Sequence, residues 1–420
     1  MAKKKKKIDK PRRELTRRQL SHWQQQKKRQ RLIFISGISI VAAVVIIVTV
    51  GWYMSQYRPL HETVIKVNDT EFDMDYYIKA LDHYGQGEYM QTIADEAVKI
   101  IQRNELIKQQ ALELGISISK EEANDKLKEN DLPRNDDQRN LISSSMMIEK
   151  LRDDYFDKQV PLAAEQRHIM AMFLEDEEQA KEVRARLENG ESFTDLAGEL
   201  SLDDYSQSKQ GDLGWHPQGI LPLTLGSSLL DEYAFNTEVG ALSPPVYDEE
   251  YFKNIGYWLI KILETRPEEG EAHVQAMLLG TRIEAQEIKA RLENGESFTD
   301  LAKELSQHMA SKDNGGDLGW ISPDETTHAF DEFTFNPDAE VETVSAPLLD
   351  DTAWTSGGYW LVKVTEADAQ RTIEDTDRDL LKSKALNEWA TGVWENHQDE
   401  IESFLDEEKK QWAIEKASKG

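Results

Sequence analysis

The sequence predicts an α+β chain carrying one apolar N-terminal span, and three observations carry that class. A charge-free apolar stretch follows a basic arm, a domain-length segment occurs twice, and each copy runs short strands and amphipathic helices in the same order. The 420 residues suffice for two to four domains at roughly 100–200 residues each. Charged residues make up 31 %, above the usual share of about a quarter, which suits small domains with much surface. The chain has no cysteine. Disulfide frameworks, thiolate zinc sites, thiol catalysis and a lipid-modified N-terminal cysteine are therefore excluded.

The net charge of −29 hides an asymmetry: residues 1–31 hold fourteen Lys/Arg and two acids, a net of +12, which leaves −41 for the rest. Leu32 to Val50 is a nearly continuous apolar run of nineteen residues, followed by Trp52, Tyr53 and Tyr57. At about 1.5 Å per residue such a helix crosses a bilayer core of about 30 Å. The aromatics suit the far headgroup layer, and the basic cluster marks the cytoplasmic side. Residues 1–31 are thus expected to be a basic cytoplasmic arm and 32–54 a transmembrane helix. The bulk of the chain then lies outside the cytoplasm, and the protein sits in the cell membrane with a single pass. The alternative is a cleaved signal peptide, whose apolar region is usually shorter, about 7–15 residues. The acidic remainder excludes nucleic acid as a partner, because binding it requires cationic surface.

Residues 58–161 read as a helical N-terminal domain. Val64–Val67 and Thr70–Phe72 suggest two short strands around an Asn-Asp turn. Apolar or small residues from Ile93 to Leu114, ending at Gly115, form one face of a long helix, and Ser119-Lys120-Glu121-Glu122 is a capping-box pattern opening another. Residues 135–159 suggest a third. After the repeats, residues 369–420 suggest a long C-terminal helix packing back on the N-terminal ones, with a charged tail free beyond Asp406.

Between the flanks lies a duplication. Ala185–Ser201 and Ala290–Ser306 agree at sixteen of seventeen positions at an offset of 105. The same offset carries Gly211-Asp212-Leu213-Gly214-Trp215 onto Gly316-Asp317-Leu318-Gly319-Trp320, and His168 onto His273. Gly256-Tyr257-Trp258 matches Gly358-Tyr359-Trp360 at offset 102. A period of domain length predicts tandem domains at 162–266 and 271–366, with Arg266–Gly270 as a linker. Each copy opens with an apolar strand, in which Val274, Ala276 and Leu278 alternate with His273, Gln275 and Met277. A helix ending at Asn-Gly follows, then a second capped by Ser192 or Ser297, then the Gly-Asp-Leu-Gly-Trp motif. A third helix and a closing strand complete a small domain with a mostly antiparallel sheet.

With these residues in place, each copy resembles the parvulin (PpiC-type) peptidyl-prolyl isomerase domain. That family's order of Arg-His-Ile, Gly-x-x-Phe-x-x-Leu-Ala-x-x-x-Ser and Gly-Gly-Asp-Leu-Gly-Trp is matched by Arg167-His168-Ile169, Gly190 to Ser201 and Gly211 to Trp215, with Gln210 in place of the first motif glycine. The second copy offers His273-Val274, Gly295 to Ser306 and Gly315 to Trp320. The flanking helices and outward-facing anchor look like foldases of the SurA, PrsA and PpiD type, in which such helices form a chaperone lobe. The resemblance implies two parvulin-like domains, no cofactor, and a site of two histidines, a Cys or Asp, and an apolar proline pocket.

Carried over by motif, the first histidine falls on His168 and His273, and the Cys/Asp position on Asp203 and His308. The pocket aromatic falls on Leu230 and Phe330, and the second histidine, of Gly-Tyr-His, on Trp258 and Trp360. The resemblance thus implies His168, Asp203, His273 and His308 as catalytic residues, and Leu230, Trp258, Phe330 and Trp360 as substrate-binding ones. Tryptophan in both copies departs from the family pattern: an indole nitrogen donates one hydrogen bond and accepts none. The implied function is prolyl isomerisation and chaperoning of unfolded, newly exported chains containing X-Pro bonds. Two alternatives stand beside it: a non-catalytic holdase, and a scaffold with relict parvulin folds. No zincin helix, P-loop or hydrolase elbow competes.

Overall fold

The computed structural model describes residues 17–85, 90–338 and 340–418. The first sixteen residues of the basic arm lie outside them. The described strands are β1 (Thr63–Val67), β2 (Thr70–Asp73), β3 (Ala163–Leu174), β4 (Asp212–Pro217), β5 (Val246–Arg266), β6 (Glu271–Leu279), β7 (Asp317–Ile321), β8 (Leu348–Thr372) and β9 (Ile401–Ser403). The chain divides into two compact units, residues 1–151 with 388–420, and residues 152–387.

In the first unit, the apolar run is part of a helix, Arg17–Trp52, whose large side chains from Phe34 to Val50 are exposed. Among the described residues, Lys27–Leu60 is the one helical span long and apolar enough to cross a membrane. The predicted turn forms: β1 and β2 pair antiparallel around Asn68, which adopts a φ of 52°, and β9 adds to the other edge of β1. The helix Met90–Glu113 lays Ala97, Ile101 and Leu106 against Val64, Ile65 and Tyr77. Ser119 and Glu122 complete the capping box that opens Lys120–Glu129. The long helix Asp375–Asn396 contributes Val393 to this core.

The tail beyond Asp406 is not free. It forms a helix, Glu407–Ala417, capped by Asp406, whose Oδ1 accepts from Lys409 N at 2.9 Å. Ala413 and Ile414 are buried in the core, and Lys410 bonds Asp95 at 2.5 Å. Charged neighbours mask in sequence this short apolar stripe of Trp412, Ala413 and Ile414.

The second unit is built on one six-stranded antiparallel sheet, in the order β4-β3-β8-β5-β6-β7. The helices follow the predicted pattern twice. Glu177–Glu188 and Arg282–Glu293 end at Asn-Gly, and Phe193–Leu200 and Phe298–Leu305 carry Ser192 and Ser297 as N-caps. The strand pairing departs from two self-contained modules. The strand that closes the first copy, β5, pairs with β6, which opens the second, in the register Trp258↔Leu278 and Ile260↔Ala276. The strand that closes the second copy, β8, pairs with β3, which opens the first, in the register Phe173↔Trp360 and Ala171↔Val362. The two copies exchange their closing strands.

The cause lies in Arg266–Gly270, which is a hairpin turn and not a linker. Arg266 pairs with Glu271, Gly270 N donates to Arg266 O at 2.9 Å, and Gly270 takes a φ of 71°. Only Pro267 to Gly270 separate the two long strands, and so short a connection joins antiparallel neighbours. β5 is therefore committed to β6, which leaves β3 open for β8.

Candidate active site

The Gly-Asp-Leu-Gly-Trp motif forms β4 and β7, which flank the opening strands. Gly316, at a φ of 83°, lies so close that an added Cβ would stand 2.6 Å from Ala276 O. This close approach aligns Asp317 with His273, whose Nε2 is 2.8 Å from Asp317 Oδ1. In the first copy, His168 Nε2 is 3.1 Å from Asp212 Oδ1 and its Nδ1 is 2.5 Å from Thr365 Oγ1 on β8. The motif tryptophans are covered across the exchange: Arg266 of β5 lies 3.6 Å from the Trp320 centroid, and Arg371 of β8 lies 4.4 Å from that of Trp215.

The second copy contains a cavity of about 390 Å³, lined among others by Trp258, His308, Leu318, Ile321, Thr327 and Phe330. Its walls come from both copies, since Trp258 arrives on β5. The Trp258 ring meets Phe330 edge-on at 5.3 Å between centroids and His308 at 5.2 Å. Trp258 Nε1 donates to Asp350 Oδ2 at 2.8 Å, which holds the indole as a wall. Burial works against the Asp350 carboxylate, but bonds from Thr352 and Trp258 outweigh it and hold its pKa below the usual range. It stays an ionised acceptor at neutral pH.

His308 is held through Nδ1, 2.8 Å from Ser311 Oγ, while its Nε2 meets no hydrogen-bond partner among the described residues. Burial lowers its pKa from the usual histidine value. A neutral imidazole therefore stands in a cavity with one aromatic and aliphatic side, of Trp258, Leu318, Ile321 and Phe330, and one polar side that includes Glu325 and Thr326. His273 does not line this cavity. It alternates along β6 with Val274, Ala276 and Leu278, which share the core of Trp258 and Phe330, and so projects from the opposite face.

The first copy assembles the equivalent residues, again across the exchange. Leu230 and the fully buried Trp360 share one core, and Trp360 Nε1 donates to Asp248 Oδ2 at 3.2 Å. Asp203 Oδ1 accepts from Ser206 N at 2.6 Å, and its Oδ2 accepts from the Tyr251 hydroxyl at 2.6 Å. The Tyr251 ring packs edge-on against Trp360 at 4.9 Å and Phe173 at 4.7 Å. Burial first, and then the bond to Asp203, raise the Tyr251 pKa far above the usual phenol value, so its hydroxyl stays a donor.

The motif assignment put Trp258 with the first copy's site and Trp360 with the second's. The structure reverses this, because each tryptophan travels on an exchanged strand. Three of the named residues, Trp258, His308 and Phe330, come together around a cavity. Asp203, Leu230 and Trp360 come together around Tyr251, while His168 and His273 stand at the Gly-Asp-Leu-Gly-Trp strands. Sequence reasoning missed Tyr251, Asp248 and Asp350. The two aspartates share the offset of 102 and were visible as a repeated pair; nothing local marks Tyr251.

Two segments of the chain match a known family. Residues 168–264 and 257–368 each match the PPIC-type PPIASE domain, overlapping on β5. The chaperone SurA of Chromohalobacter salexigens is 26 % identical over 239 residues, covering 53 % of this chain and 51 % of that protein. The foldase protein PrsA of Geobacillus kaustophilus is 38 % identical over 91 residues, covering 22 % of this chain and 30 % of that protein. A crystal structure of the peptidylprolyl isomerase PrsA from Bacillus cereus aligns with a TM-score of 0.31 and 13 % identity, over 85 % of this chain and 99 % of that one. The chain spans about half the length of the curated SurA relatives it matches, 51 % in the first case. With its motifs, sheets and matched segments taken together, the chain carries two domains of the PPIC-type, or parvulin, PPIase family.

Proposed function

We propose that this protein is a membrane-anchored peptidyl-prolyl cis-trans isomerase and chaperone that assists the folding of exported proteins. The observation that carries the reading is the cavity whose apolar side is Trp258, Leu318, Ile321 and Phe330, with neutral His308 at its wall. A prolyl ring is small and apolar, and the Trp258, Leu318, Ile321 and Phe330 side of this cavity takes it out of water, while Glu325, Thr326 and Thr327 line its polar side. Rotation about an X-Pro bond faces a barrier of about 20 kcal/mol, set by the planar, charge-separated amide. A dry wall destabilises that planar form relative to the twisted one, and a fixed hydrogen-bonding group at His308 Nε2 meets the twisted bond without reorganising. Lowering the barrier by about 5 kcal/mol accelerates the exchange between 10³- and 10⁴-fold. No cofactor takes part in this chemistry.

The likeness to SurA and PrsA supports clients that are unfolded polypeptides on the outer side of the membrane. The apolar helix and the basic residues before it support a single-pass anchor with the N-terminus in the cytoplasm. A second reading, a holdase that grips chains without isomerising them, is favoured by one observation. Both family histidine positions of Gly-Tyr-His hold tryptophan here.

Protease-coupled turnover of an X-Pro peptide by the full chain in detergent separates the two. Wild type accelerates the exchange, and Phe330→Ala, which opens the prolyl pocket to water, loses at least tenfold. A wild-type rate equal to background, combined with suppression of client aggregation, would establish the holdase and end the isomerase reading.

A further inference from the structure

The two sites share a plan, so their differences can be read position by position. The closing strands align at offset 102 and the opening strands at offset 105. On that alignment, Tyr251 of β5 corresponds to Ala353 of β8, and Phe173 of β3 to Leu278 of β6. The indoles Trp360 and Trp258 correspond across the exchange, as do their acceptors Asp248 and Asp350.

In the first copy, Tyr251 fills the space between Phe173, Trp360 and Asp203. Its ring contacts both aromatics, and its hydroxyl takes the carboxylate that stands at the His308 position. In the second copy, Ala353 packs against the same core as Trp258 and Phe330 but is too short to reach across it. Leu278 likewise occupies less space than Phe173. The second copy keeps its cavity of about 390 Å³.

We infer that Tyr251 is a built-in occupant of the first copy's peptide site: an aromatic side chain held where the second copy receives a proline ring. One residue then sets which copy takes substrate. A phenol edge-on to two aromatic rings is an apolar filler of about a prolyl ring's width, and its hydroxyl donates to Asp203 at the wall. The first copy is a latent site, closed by the chain itself; the second is the open one. This rests on the proposed proline-binding role of the Trp258 cavity and adds the residue that distributes it between the copies.

The indole N–H groups of Trp258 and Trp360 provide one reporter per site, because each is bonded to its own aspartate. The full chain, labelled with ¹⁵N-tryptophan in detergent, is titrated with succinyl-Ala-Leu-Pro-Phe-p-nitroanilide, and turnover of the same peptide is measured in parallel. In wild type the peptide shifts the Trp258 resonance and leaves that of Trp360 still. In Tyr251→Ala both respond. In Ala353→Tyr the Trp258 response is lost, with affinity down at least tenfold.

Should Tyr251→Ala fail to fold, Ala353→Tyr and the wild-type titration each still decide the matter. A wild-type response at Trp360, a folded Tyr251→Ala chain with Trp360 silent, or undiminished binding to Ala353→Tyr would each overturn the inference. So would a wild-type chain in which neither indole responds. The predicted pattern of shifts without any turnover would instead end the isomerase reading while upholding the role of Tyr251.

Discussion

Trp360 lies late in the second copy of the repeat, yet its ring is fully buried against Phe173 and Tyr251 of the first. Replacing it with alanine therefore tests the strand exchange directly. Removing a buried tryptophan costs about 3–5 kcal/mol. Asp248 would also lose the indole donor and keep Ser227 Oγ, at 2.5 Å, as a partner, a further cost of about 1 kcal/mol. A sum near 5 kcal/mol, at about 1.4 kcal/mol per decade, raises local opening roughly 10³- to 10⁴-fold. The assay is amide hydrogen exchange read strand by strand. Protection should fall at Ile169, Ala171 and Phe173 of β3 well before it falls at Val274, Ala276 and Leu278 of β6. Self-contained copies demand the opposite, because Trp360 would then belong with β6. Loss confined to β6 would refute the exchange.

A chemical arm uses the absence of native cysteine. Ala171 and Val362 are register partners, so the double variant Ala171→Cys/Val362→Cys should close a disulfide on mild oxidation. Ala171→Cys/Ile260→Cys, the pair that a self-contained first copy would require, should not.

Two further predictions concern buried charge. Lys253 is 1 % exposed, donates to Gly357 O, and has its pKa pushed down to about 8 by burial, against the opposing pull of Glu175 and Glu284. Its folded pKa lies below its unfolded value, so the stability penalty is full below about pH 8 and fades as pH rises towards about 10.5. Lys253→Met should therefore stabilise the protein by about 2 kcal/mol at pH 7 in urea unfolding, with the gain shrinking at higher pH; a gain that does not vary with pH would contradict it. His216 behaves in the opposite sense. Burial works against its charge, but Asp377 at 2.7 Å and Leu213 O at 2.8 Å, both accepting, raise its pKa. That contribution is full below about pH 6.5 and is lost as pH climbs through the raised value, so Asp377→Asn should cost about 1.5–3 kcal/mol at pH 6 and less at pH 9.

The local plan was legible because it is written in local signals. Caps at Ser192 and Ser297, Asn-Gly helix ends and alternating opening strands each depend on a few adjacent residues, and all of them form. The site was half legible. Motif spacing located Trp258, His308 and Phe330, but it could not pair them across copies. Gly256–Lys261 and Gly358–Lys363 differ by one residue, Ile260 against Val362, so neither segment carries a preference for β3 or β6. The deciding information was the length of a turn. Four residues between two long strands is a hairpin signal, whereas the Pro-Glu-Glu-Gly composition alone suggests a linker. Tyr251 was invisible for another reason: an aromatic in a strand reads as core until its counterpart is seen to be alanine.

The exchange also accounts for the departure from the family pattern that both copies share. Each indole finds its acceptor on the other closing strand: Trp258 of β5 bonds Asp350 of β8, and Trp360 of β8 bonds Asp248 of β5. The bonds form a reciprocal pair across the two central strands of the sheet. A tryptophan suits this place because one donor meets one buried carboxylate while the large ring walls the neighbouring site. A histidine here would offer a second nitrogen with no partner supplied, and less area to close the core. The same substitution in both copies is then a single structural feature, since breaking either latch loosens the strand that walls the other copy's site. The two indole–carboxylate bonds and the exchanged strands are thus one structural unit.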